Sequence, residues 1–121
     1  MASTNRPSEL VVIISNAPDL LLAKRMAHIL VEEGLAACVN LGPASLSIYG
    51  WEGKLEGAEE IPLMIKTTVD RQDAATLRLV GMHPYEVPEV LVLPVLASTP
   101  HYAAWVHAQT RHPMHLDDEP S

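Results

Sequence analysis

At 121 residues, 48% of them hydrophobic and none of them Phe, the chain has the material for one domain with an aliphatic core that needs no disulfide or metal to hold it. A net charge of −7 with no basic cluster excludes partners bound through their phosphates, whether DNA, RNA or an anionic membrane surface. The single cysteine, Cys38, excludes an internal disulfide framework and fits a reducing compartment.

MASTNRPSEL lacks the apolar centre of a signal peptide, and no apolar run approaches the roughly 20 residues of a membrane-spanning helix, so the expected location is the cytoplasm. Residues 1–8 read as a flexible start. Leu10 to Ile14 is wholly apolar, as in a strand covered on both faces. Pro18 and Asp19 open a helix with Leu22, Met26, Ile29 and Leu30 on one stripe, and Gly34 stops it. Ala36 to Leu41 reads as a second strand, kinked at Gly42-Pro43 and resuming through Leu46, Ile48 and Tyr49. Glu52-Gly53-Lys54 suits a hairpin turn, after which Ile61, Leu63 and Ile65 alternate in a half-buried strand. Pro62 lacks a donor there, which predicts a bulge or an edge. Asp70 is the expected cap of a second helix carrying Ala74, Leu77 and Val80, ended by Gly81 and Pro84. A strand from Val90 to Val95 and a short helix from Tyr102 to Ala108 follow.

This order predicts an α+β fold, a ferredoxin-like βαββαβ sandwich with a four-stranded antiparallel sheet, an extended hairpin and a short C-terminal helix. Residues 9–109 form the single domain, and 110–121 a flexible acidic tail with His112 and His115.

No phosphate loop, Cys-x-x-Cys pair or His-Glu-x-x-His helix is present, and no nucleophile stands with its base, so the reading is of a protein that is not an enzyme. His83, in HPYEVPE, lies in a connector between Pro84 and Pro88. It is either a functional group on a fixed loop or a cap for the last carbonyls of the preceding helix, which is the commoner role. Glu86 and Glu89 suit ligands or bases as well as solvated carboxylates. Tyr85 suits packing. Cys38, inside an apolar strand, reads as an inert small hydrophobe. Tyr49 and Trp51, near the hairpin tip, are the candidate interface residues.

The segments APD, LAACVNL, YGWEGKLE, IKTT and HPYEVPEVLVLPV resemble, in order and spacing, the CutA divalent-ion-tolerance proteins. The likeness runs from about Leu10 to Trp105. It implies a ferredoxin-like homotrimer, similar in architecture to the PII signalling proteins and tied to tolerance of copper and other divalent cations. Bacterial members bind copper through a cysteine ending the first strand and two successive histidines, positions that fall here on Ser15, Met82 and His83. The leading expectation is therefore a trimer binding copper weakly near His83. Two alternatives stand beside it: a PII-like signalling trimer holding a small molecule in subunit clefts through Lys66, Tyr85 and Glu89, and a structural assembly scaffold.

Overall fold

A computed structural model describes residues 9–111 and Pro113. The elements run β1 (Leu10–Ala17), α1 (Leu20–Glu32), β2 (Cys38–Leu41), β3 (Ser45–Trp51), β4 (Lys54–Thr68), α2 (Gln72–Met82), β5 (Leu91–Pro94) and α3 (Pro100–Gln109). The α+β class and antiparallel pairing agree with the expectation. The sheet has five strands rather than four: β2 and β3 lie end to end along β4, and the order is β2-β4-β1-β5. The difference comes from Gly42-Pro43, which divides one expected kinked strand into two.

Leu41 pairs with Leu63 and Ser45 with Glu60, so residues 42–44 stand opposite residues 61–62, three against two. That is the bulge expected at Pro62. Gly42 donates to the Pro62 carbonyl at 3.0 Å, and a Cβ on Gly42 would lie 2.8 Å from Pro62 Cγ. Backbone N and O of one strand residue point to the same side, so the missing Pro62 N–H faces this bulge and takes no bond from the ladder to β1.

Asp19 accepts from Leu22 N at 2.8 Å at the start of α1, and Gly34, at φ 71°, closes its end with Leu35 N donating to Leu30 O. β3 and β4 join through Glu52 and Gly53, both at positive φ, a twist that matches the flanking strands. Two expectations about α2 are corrected. Thr68, not Asp70, makes the cap, for its hydroxyl accepts from Arg71 N ahead of a single 3₁₀ turn, Val69–Arg71. The buried stripe is Ala75 and Leu79, with Met82 packed beside them, while Ala74, Leu77 and Val80 face outward. Both stripes are apolar at helical spacing, and the register set by the 3₁₀ turn selects one.

Ile13, Ala17, Leu63 and Ile65 of the sheet form the core with Ala23, Met26 and Leu30 of α1 and with α2. The opposite sheet face is covered only at one end, where Val106 of α3 packs on Leu10 and Ala37 and Tyr102 lies near Val12 and Lys66. In its middle Met64, Leu91 and Leu93 are exposed beside the partly covered Val12 and Ile14. Register puts Leu93 beside Val12 and Leu91 beside Ile14, so these side chains share one apolar surface. The chain is held beyond the expected domain end: Thr110 is buried, and Arg71 donates to the Thr110 and Arg111 carbonyls. The expected flexible segments, residues 1–8 and nearly all of the tail after Arg111, lie outside the described residues.

Candidate functional site

The connector from His83 to Val90 is fastened to the end of β1. His83 is the C-cap residue of α2, in extended backbone, because Pro84 disfavours the helical region for the residue before it. Its ring is buried. Nδ1 accepts from Tyr85 N–H at 3.2 Å, which leaves Nε2 to carry the proton and donate to the Asn16 carbonyl at 2.6 Å. The Tyr85 ring lies 4.6 Å away, tilted by 56°. Ser15 Oγ donates to the Glu89 carbonyl at 2.7 Å, and Asn16 Nδ2 to Glu89 Oε1 at 2.8 Å. The Tyr85 hydroxyl donates to Glu60 Oε2 at 2.8 Å, which ties the same connector to β4. Burial and the Glu60 carboxylate push the Tyr85 phenol up to about 12, from an ordinary 10.0.

A phenol held protonated by the fold contributes stability that is complete below pH 10.0 and is lost as pH rises towards about 12. In an ultraviolet phenolate titration Tyr85→Phe should remove the latest component. A late component left intact in Tyr85→Phe would assign it elsewhere, Tyr102 being the other tyrosine raised by burial.

The three positions implied for copper differ in what they offer. Ser15 is fully buried and its hydroxyl is engaged with Glu89. Met82 ends α2, packed against the core cluster. His83 is close to β1 as the resemblance requires, yet neither ring nitrogen has a free lone pair. Among the described residues no group of three His, Cys, Asp or Glu side chains could hold a metal ion. The set is not a preformed copper centre.

A cleft of about 670 Å³ opens between the connector and the β3–β4 hairpin. Tyr49, Trp51 and Tyr85 line it with Glu56, Glu60, Glu86 and Glu89. Tyr85 and Glu89 thus share one cavity within the chain, whereas the small-molecule alternative places its ligand in clefts between subunits. Lys66 does not join them: its amino group donates to Asn40 Oδ1, and it lines a separate hollow with Val12 and Tyr102. Tyr49 and Trp51 are each 42% exposed on the hairpin. Cys38 is only partly buried and lies opposite Lys66 across the β2–β4 ladder, a basic neighbour invisible to inspection of adjacent sequence. Asn16 and Glu60 escaped the sequence reading. Asn16 had one signal, a polar residue ending an apolar strand just before APD. Glu60, in the run Glu59-Glu60, had none.

Residues 11–109 match the family described as CutA1 divalent ion tolerance protein. The divalent-cation tolerance protein CutA of Pectobacterium atrosepticum is 44% identical over 109 residues, which are 89% of this chain and 99% of that protein. The crystal structure of CutA from Xylella fastidiosa superposes with a TM-score of 0.83 at 39% identity, covering 84% of this chain and 98% of that one. CutA1 from Oryza sativa superposes at 0.82 with 38% identity, covering 90% and 98%. The likeness spans the connector, the hairpin and the strands that carry them, and by it this chain belongs to the CutA1 divalent ion tolerance family.

Proposed function

We propose that the protein serves divalent-cation tolerance in the cytoplasm without catalysis, as a homotrimer that binds copper weakly at His83. Membership of a family named for ion tolerance supports the role. The observation that carries the weak affinity is the pair of hydrogen bonds on the His83 ring. A copper ion must displace the Tyr85 N–H or the Asn16 carbonyl before it gains a ring nitrogen, and that loss is subtracted from the binding free energy. The Met82 thioether, if it turns towards the ion, favours Cu(I) over Cu(II). The exposed apolar sheet face supports self-association, since an uncovered apolar surface of this kind marks an interaction site.

Copper titration of the full chain with His112→Ala and His115→Ala, which removes the tail imidazoles, tests the site. His83→Ala in that background should weaken binding about tenfold or more, as loss of a principal ligand does. An unchanged isotherm makes the connector purely structural. A second reading, a PII-like signalling trimer, is favoured by the cleft that Tyr85 and Glu89 share, which has the size of a small-molecule site.

A further inference from the structure

Every charged side chain lining the cleft beside the hairpin is a carboxylate, and no Lys, Arg or His is among them. Glu60 is the most buried of them, only 7% exposed, and the neutral Tyr85 hydroxyl donates to one of its oxygens. A buried carboxylate held by one neutral donor is incompletely compensated, and a cation placed against it recovers that deficit. A bare metal ion does not suit the place, because no three acidic or imidazole groups among the described residues gather closely enough to ligate one. The carboxylates are distributed along the cleft, so they match charge that is distributed too.

The walls between them are aromatic. Tyr49 and Trp51 stand 42% exposed on the hairpin side and Tyr85 faces from the connector. Such rings attract ammonium groups through their π faces and cover alkyl chains, whereas a strongly hydrated inorganic ion gains little from them. A volume of about 670 Å³ lies within the range of small-molecule sites. We propose that this cleft binds an aliphatic di- or polyamine, with its ammonium groups on Glu60 and on the outer carboxylates Glu56 and Glu89 and its methylene chain along Trp51 and Tyr49. The site uses neither His83 nor Met82 as a ligand, and it rests on the reading of this cleft as a small-molecule site.

The test is calorimetric titration of the full chain with spermidine, putrescine and Mg²⁺ as probes at about 0.15 M salt, where long-range attraction between exposed charges is screened. Saturable binding of spermidine, one per chain and stronger than that of either other probe, is the expected result. Glu60→Gln and Trp51→Leu should each weaken it about tenfold, the Glu60 variant with the mass by light scattering unchanged. Trp51 is exposed enough that its replacement does not endanger the fold if Glu60→Gln proves unstable. Binding that Mg²⁺ matches, binding indifferent to the substitutions that fold, or no binding of spermidine would each overturn the proposal.

Discussion

Leu93→Asp, alone or with Leu91→Asp, is expected to turn the proposed trimer into single chains. Both leucines are about half exposed on β5 and stand in register with Ile14 and Val12 on the uncovered sheet face. Covering a leucine of this kind contributes about 1.5–3 kcal/mol. Placing a carboxylate there removes that gain and adds a desolvation penalty of several kcal/mol for an ion without a partner. Each subunit suffers the change, so a symmetric assembly feels it several times over. Because the leucines are exposed on the isolated chain, the substitutions should leave far-ultraviolet circular dichroism unaltered while light scattering falls to the mass of one chain, 13.2 kDa. A mass that does not fall would remove this face from the interface.

His83→Ala carries the second large effect, and it is on stability as well as on copper. The substitution strips the Asn16 carbonyl and the Tyr85 N–H of their partner and removes the ring that Tyr85 packs on. Leaving a buried polar group unpaired costs roughly 1–3 kcal/mol, and with the lost packing the total should be about 2–4 kcal/mol. His83→Gln, whose amide has both a donor and an acceptor, should recover part of it. The measurement is the urea midpoint at fixed protein concentration, so that assembly contributes equally to each variant. A midpoint unchanged by His83→Ala would mean that the connector is not held through this ring.

Local chemistry in the sequence reached the elements whose cause is local. Asp19 and Gly34 bound α1 because a cap and a left-handed stop act within one turn, and Glu52-Gly53 makes the hairpin because only a few residues tolerate that backbone. Alternation through Ile61, Leu63 and Ile65 named the buried face of β4, of which Leu63 and Ile65 are core. The failure at α2 has an equally plain cause. Ala74-Leu77-Val80 and Ala75-Leu79-Met82 are both apolar, and a helix that is apolar on two sides gives no single direction. His83 was identified as the residue to watch, but its two partners were not both legible. Tyr85 is two positions away, whereas Asn16 is 67 away and becomes a neighbour only when β1 and the end of α2 are side by side. The same distance in sequence hid the Glu89 bonds to Ser15 and Asn16 and the Tyr85 bond to Glu60. Within one chain Lys66 lines a different hollow, with Tyr102 of α3.

Native mass spectrometry of the full chain carrying His112→Ala and His115→Ala, with and without copper, reads assembly and metal together. The expected species has a mass of about 40 kDa, three times the 13.2 kDa chain, takes up copper only at an excess of the ion and loses that uptake with His83→Ala. A chain that stays monomeric at micromolar concentration, or a trimer whose copper uptake is indifferent to His83→Ala, would contradict this expectation.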